Sequence, residues 1–111
     1  MNSLTYGTMP SKDAFYNAFC EHMQDNARYH FELNKTDAHM LDVLGLFPKD
    51  AQVYRCLYLA NYSCDGLYAL CEALVAVVDS EAHARNIDTA SWAGEFCGVI
   101  LRNLGFEWAW A

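Results

Sequence analysis

LYALCEALVAVV, residues 67–78, is the stretch that decides the fold, because a single carboxylate, Glu72, interrupts its eleven uncharged residues. As a helix it would be apolar on nearly every side, and such a helix lies inside a protein or a bilayer. Twelve residues are too few to cross a membrane. Asp65, Glu72 and Asp79 are seven residues apart and therefore fall on one line of the helix. We expect a central helix over about residues 66–85 with one narrow exposed edge.

The composition is that of one folded domain. A chain of 111 residues with 54% hydrophobic and 19% charged residues can bury a single core. We expect one helical domain over residues 1–111, with an irregular lead-in at 1–10 and an aromatic tail at 106–111. The net charge of −7 repels polyanions, and no basic stripe is present to bind phosphates. Direct binding to nucleic acid or to a membrane is therefore not expected.

The cysteines indicate a reducing compartment. They number five, contain no CxxC pair, and stand at positions 20, 56, 64, 71 and 97. An odd number without such a pair argues against a disulfide framework, so we expect buried free thiols. The first residues show no basic segment followed by an apolar one, as a signal peptide would. The expected location is the cytoplasm.

Capping residues and apolar spacing predict two helices before the middle of the chain. The first begins after the N-cap Ser11. Its apolar stripe consists of Phe15, Phe19, Met23, Ala27 and Phe31. Residues 29–33 alternate apolar and polar side chains, so a short strand there is the alternative to continued helix. The second helix is predicted to be capped by Thr36 and to end at Gly45, in the left-handed conformation.

The remaining helices complete a bundle of about five. A third begins at Pro48, whose missing N–H suits the first helical position, and extends to about Tyr62, although a strand competes over this segment. The central helix follows, and the last is capped by Asp88 or Thr89 and stops at Gly105. The predicted fold is a compact all-α domain.

Two glycines inside the last helix indicate a close contact. Gly94 and Gly98 are four residues apart and share one face. Each costs about 1 kcal/mol relative to alanine in a helix, so packing must offset them. We expect the central helix or another helix to approach closely there.

No pattern typical of a catalytic or metal site is present, whether HExxH, GxSxG, CxxC or a phosphate-binding glycine loop. Cys64 is the best candidate for a nucleophile, because a helix N-terminus stabilises a thiolate, but no histidine base can be assigned to it. For Glu72 the alternatives are the exposed edge, a buried pair with Arg55 or Arg102, and an acid–base role. We expect no enzymatic activity, no cofactor and no metal.

The aromatic tail is one candidate for binding a partner. Phe106, Trp108 and Trp110 alternate along the chain, so they would share one side of an extended tail. Tryptophan and tyrosine dominate the energetics of many interfaces. The tail either folds back as a lid on the helices or presents these rings to another protein.

An acidic ridge is the second candidate. It consists of Glu21, Asp25 and Glu32, predicted on the first helix. Such a ridge would meet a basic surface of a partner. The expected partner is therefore a protein with a basic or aromatic-accepting surface.

In size, acidity and lack of catalytic motifs, the chain resembles phage-encoded anti-defence proteins of the anti-CRISPR kind, and bacterial immunity proteins that neutralise toxins. The resemblance is one of general character and implies a stoichiometric inhibitor that blocks a working surface of its target. One alternative is a helical subunit or adaptor of a larger assembly, such as a homodimer formed through the tail. The other is a small thiol- or metal-dependent enzyme.

Overall fold

A computed structural model describes residues 9–26, 29, 31–47, 63–79 and 87–108 of the protein. These residues form four helices: α1 (Lys12–Asp25), α2 (Lys35–Val43), α3 (Cys64–Asp79) and α4 (Ile87–Asn103). The protein is all-α, as predicted. Within the described ranges, no strand forms over residues 29–33, where Glu32 makes only a single bridge. The predicted helix from Pro48 to Tyr62 and the predicted end of the central helix at 80–86 lie outside the described residues.

Two serines cap the N-termini of helices, and the first of them, Ser11, is the predicted cap. Ser11 Oγ accepts a hydrogen bond from the amide of Ala14 at 3.1 Å, at the start of α1. Ser63 Oγ accepts from the amide of Gly66 at 3.0 Å, so α3 begins at Cys64, two residues before the predicted start. Each side chain satisfies an amide that has no partner within its own helix.

The predicted caps of the other two helices are wrong. Asn34, and not Thr36, caps α2, because its Oδ1 accepts from the amide of Asp37 at 2.7 Å. Asparagine is at least as good a cap as threonine, and in this position it reaches the third helical residue. Helix α4 begins at Ile87, so Asp88 lies in its first turn, where the helix dipole favours a carboxylate.

Glycine ends α2 and α4 in the same way. Gly45 and Gly105 have φ values of 69° and 95°, the left-handed region that glycine adopts without steric cost. The amide of Leu46 donates to the carbonyl of Leu41 at 2.9 Å, and the amide of Phe106 donates to that of Leu101 at 3.0 Å. These are the bonds of a Schellman motif. The second motif turns the chain back over the helices, so that residues 106–108 can pack on them.

Helix α1 ends at Asp25, before the predicted apolar stripe reaches its last residue, Phe31. Asn26 is extended, with φ −129° and ψ 142°, and its backbone N–H donates to the carbonyl of His22. Its side-chain amide donates to the same carbonyl at 3.1 Å. Phe31 and Glu32 therefore do not belong to α1, and Glu32 is not part of a ridge with Glu21 and Asp25.

The core forms around α3, which packs mainly against α4. The buried residues of α3 are Leu67, Leu70, Cys71, Leu74 and Val78. They recur at three- and four-residue intervals, the spacing of one helix face. Glu72 is exposed, together with Ala69, Ala76 and Asp79. The central helix therefore has the predicted exposed edge, with Glu72 on it. The edge is wider than predicted, because it also includes Ala69 and Ala76.

None of the helices that the described residues form is long and apolar enough to span a bilayer.

Candidate functional site

A shallow groove of about 520 Å³ lies between α1 and the turn that follows α4. We call it the α1 groove. The residues that line it are Ala14, Asn17, Ala18, Glu21, His22 and Asp25 on α1, and Asn103, Leu104, Gly105 and Phe106 on the opposite side. Three of the six predicted partner-binding residues, Glu21, Asp25 and Phe106, therefore line one groove.

The acidic side of the α1 groove consists of two exposed carboxylates. Glu21 and Asp25 are one helical turn apart on the same face of α1. Among the described residues, neither carboxylate accepts a hydrogen bond or forms an ion pair. His22, between them in sequence, is half-buried and packs on Tyr29 with ring centroids 5.2 Å apart. Both negative charges are therefore available to a cationic group of a partner.

Tyr29 joins the end of α1 to the end of α4 beneath the groove. Its side chain is buried, and its ring stacks on Phe19 with centroids 6.0 Å apart. Its hydroxyl accepts a hydrogen bond from Asn103 Nδ2 at 3.5 Å. Burial raises the pKa of Tyr29 to about 12, the Cys71 thiol also raises it, and the Asn103 hydrogen bond lowers it. Tyr29 is therefore neutral at physiological pH. Its contacts with Phe19 and Asn103 help to set the distance between α1 and the end of α4.

Phe106 forms the apolar end of the α1 groove. Its ring stacks on Phe15, with centroids 6.4 Å apart and an interplanar angle of 12°. Phe15 is buried and also packs edge-on against Tyr68, at 5.0 Å. The Tyr68 hydroxyl donates to the carbonyl of Pro10 at 3.1 Å. Phe106 itself is half-buried, so part of its ring contributes to the core and the rest faces the groove.

Trp108 has the geometry of a lid. Only 6% of its surface is exposed, and its indole packs against Gly98 of α4. Arg102 Nη1 donates to the backbone carbonyl of Trp108 at 3.0 Å. At Gly98 the tail makes the closest approach, because its indole fills the space that the missing side chain leaves. Trp110 lies outside the described residues.

A second groove of about 570 Å³ lies on the other side of Asn103. It is lined by Phe31, Glu32, Val99, Arg102 and Asn103, and we call it the Phe31 groove. Glu32, the remaining predicted acidic residue, is exposed here and is not in the α1 groove. The structure thus divides the predicted ridge between two adjacent surfaces that share Asn103.

The four thiols that the structure describes do not form an activated site. Cys64 is the first residue of α3, but burial raises the pKa of its thiol, and Asp65 and Cys20 raise it further. The stabilisation that a helix N-terminus gives a thiolate does not prevail there. Cys71 and Cys97 are fully buried, and Cys97 Sγ donates to the carbonyl of Cys71 at 3.8 Å. In the described part of the chain, no three histidine, cysteine or acidic side chains form a group that could hold a metal ion.

Comparison with known proteins gives no relative: the chain matches no protein-family model, no curated protein and no solved structure.

Proposed function

We propose that the protein acts by binding another protein through the α1 groove, as a stoichiometric inhibitor that covers a working surface of its target. The observation that supports this proposal is the position of two exposed carboxylates, Glu21 and Asp25, which have no partner among the described residues and lie across an open groove from the half-buried ring of Phe106. A protein partner offers both kinds of complementary group, since cationic and apolar side chains alternate on many amphipathic segments.

The proposed partner presents a basic segment. Lysine or arginine side chains one helical turn apart would match Glu21 and Asp25, and an apolar side chain between them would contact Ala18 and Phe106. The net charge of −7 favours the approach of such a segment, most strongly at low ionic strength, where screening is weak. Charges at the rim of an interface increase the rate of association and select the partner, while buried apolar contacts supply most of the affinity.

An inhibitor of this kind needs no cofactor and no catalytic group. The proposed setting is the cytoplasm, and the proposed manner of action is that of the small anti-defence and immunity proteins that the sequence resembles in general character. Binding at one groove in a one-to-one complex would be sufficient to block a target.

The test uses charge reversal at the groove and a matched reversal elsewhere. Glu21→Lys/Asp25→Lys places two cations in the α1 groove. Glu72→Lys/Asp79→Lys, on the exposed edge of α3, changes the net charge by the same amount outside the groove. Each variant and the wild-type protein would be used for affinity capture from a lysate of the cells that make the protein. The proteins captured would be identified by mass spectrometry.

The proposal expects one dominant protein that binds the wild type and the α3 variant but not the α1 variant. Its affinity for each form is then measured by calorimetry, with a stoichiometry of about one expected. Equal loss of binding in both variants would show that total charge, and not the groove, is recognised. Capture that is unaffected by either variant would exclude the α1 groove as the site.

A further inference from the structure

The Phe31 groove has a rigid apolar centre. Val99 is 37% exposed, and Phe31 beside it is half-buried. The ring of Phe31 packs edge-on against Phe96, with centroids 5.8 Å apart, and Phe96 stacks on Trp92 at 5.1 Å. The indole N–H of Trp92 donates to Asp37 Oδ1 at 2.9 Å. Because each ring is held by the next, the apolar surface is formed before any partner arrives.

Opposite charges flank this apolar centre. Glu32 and Arg102 are both exposed and line the same groove. Within the described residues no ion pair joins them. Arg102 uses Nη1 to donate to the carbonyl of Trp108, which leaves most of the five N–H donors of its guanidinium unused. Both charges therefore have capacity for a further partner.

A surface with one positive and one negative group around an apolar centre is complementary to itself. In a twofold-symmetric interface, residue i of one copy contacts residue j of the other, and the reverse contact follows automatically. Two Phe31 grooves placed face to face would bring Glu32 of each copy to Arg102 of the other, with Val99 and Phe31 between them. Among the described residues the α1 groove lacks this property, because its two exposed acidic side chains, Glu21 and Asp25, have no exposed basic side chain beside them.

We propose that the Phe31 groove is the contact surface of a homodimer, with a second copy of this chain as its occupant. This inference is independent of the proposed inhibitor role, since Glu21 and Asp25 lie outside the groove. A stable interface buries about 800 Å² on each partner, more than five lining residues supply, so the dimer is weak, with a dissociation constant of about 1 μM or above. The repulsion between two chains of charge −7 is largely screened at physiological ionic strength, where the Debye length is about 8 Å.

The first experiment is sedimentation equilibrium of the wild-type protein up to about 1 mM, at physiological ionic strength. A concentration-dependent monomer–dimer equilibrium is expected. A monomer throughout this range would overturn the proposal.

Charge exchange between copies tests the predicted pairing. Glu32→Arg alone and Arg102→Glu alone place like charges opposite each other twice in the dimer, so each variant is expected to be monomeric. An equimolar mixture of the two restores both attractive pairs and is expected to form a heterodimer. Failure of the mixture to associate, when both variants have the wild-type circular dichroism spectrum, would contradict the proposed geometry.

A valine pair supplies a test that does not depend on Arg102 and its contact with the tail. Val99→Asp places a charge at the apolar centre of the contact and is expected to weaken dimerisation by about tenfold or more. Val43→Asp is the matched control, because Val43 is 64% exposed on α2 and lies outside the groove. It is expected to leave the equilibrium unchanged. Equal weakening by both substitutions would show that the Phe31 groove is not the contact.

Discussion

Trp108 and Gly98 pack so closely that no side chain fits between them. A β-carbon built at residue 98 would lie 2.7 Å from Trp108 Nε1 and 3.0 Å from Arg102 Nη1. Trp108 Nε1 is buried without a hydrogen-bond acceptor among the described residues. The contact therefore gains apolar burial at the cost of one unsatisfied donor. It attaches the tail to α4.

Gly98→Ala is expected to lower the free energy of unfolding by about 1–3 kcal/mol, because the added methyl group displaces the Trp108 indole. The sign of this change in the free energy of unfolding is informative, since alanine is favoured over glycine by about 1 kcal/mol in a helix interior. In a Trp108→Ala background the same substitution should therefore stabilise the protein. Urea denaturation of the four proteins in this cycle measures the coupling. Destabilisation of equal size in both backgrounds would show that Trp108 is not the group that alanine meets.

Glu72 and Leu74 are expected to respond very differently to substitution although they are two residues apart. Glu72 is exposed, so Glu72→Leu should leave the fold intact and change the free energy of unfolding by no more than about 0.5 kcal/mol. Leu74 is fully buried, and Leu74→Ala should cost about 2–5 kcal/mol. Thermal and urea denaturation of both variants provide the comparison. A similar loss in the two variants would favour a buried ion pair at Glu72.

The stability of the protein is expected to fall between about pH 10 and pH 12 because of Tyr29. The pKa of this phenol is about 12 in the folded protein and 10.0 in the absence of burial. In this interval the folded state retains the proton that the unfolded state has lost, so stability decreases as pH rises. Relative to its value below pH 10, the free energy of unfolding falls by roughly 2–3 kcal/mol once the pH exceeds the pKa of the folded protein.

Tyr29→Phe isolates this contribution, since it removes the ionisable group and retains the ring. The difference in free energy of unfolding between wild type and variant should be small below pH 10 and should move in favour of the variant by pH 12. Other groups titrate in both proteins and cancel in the difference. Parallel pH curves for the two proteins would show that Tyr29 is not the group responsible.

The buried thiols are expected to be protected from alkylation. Cys71 and Cys97 are fully buried, and a hydrogen bond between their side chains, together with burial, raises the pKa of the Cys71 thiol well above its usual value. Cys20 and Cys64 are half-buried and should react first. Maleimide labelling followed by peptide mass spectrometry distinguishes the two pairs. Labelling of all four at one rate in native buffer would contradict the packing of α3 against α4.

The start of α1 and the ends of α2 and α4 could be predicted from the sequence because they depend on residues a few positions apart. Ser11 and Ser63 cap helices through amides three residues ahead, and Gly45 and Gly105 end helices through local backbone bonds. At residues 34–37 the sequence rule selected Thr36, whereas Asn34 is the cap. Both residue types are good caps, and the geometry of the turn places Asn34 where its Oδ1 accepts from the amide of Asp37.

The grouping of the site residues could be predicted only in part from the sequence. Glu21 and Asp25 share a helix face by spacing alone, so their proximity could be predicted. Their position opposite Phe106 depends on packing between α1 and the end of α4. The hydrogen bond from Asn103 to Tyr29 joins residues 74 positions apart, and no local pattern predicts it.

The sequence by itself determined an all-α protein with an acidic surface and an apolar central helix, and it left the position of Glu72 open among three alternatives. These properties follow from hydrophobic periodicity and charge, which depend on residues close together in the sequence. The tertiary structure decided that Trp108 packs on Gly98, that Glu32 leaves the α1 ridge, and that Phe106 joins Glu21 and Asp25. Such contacts arise from the sum of many weak packing interactions between distant segments, and that sum exists only once the helices have assembled.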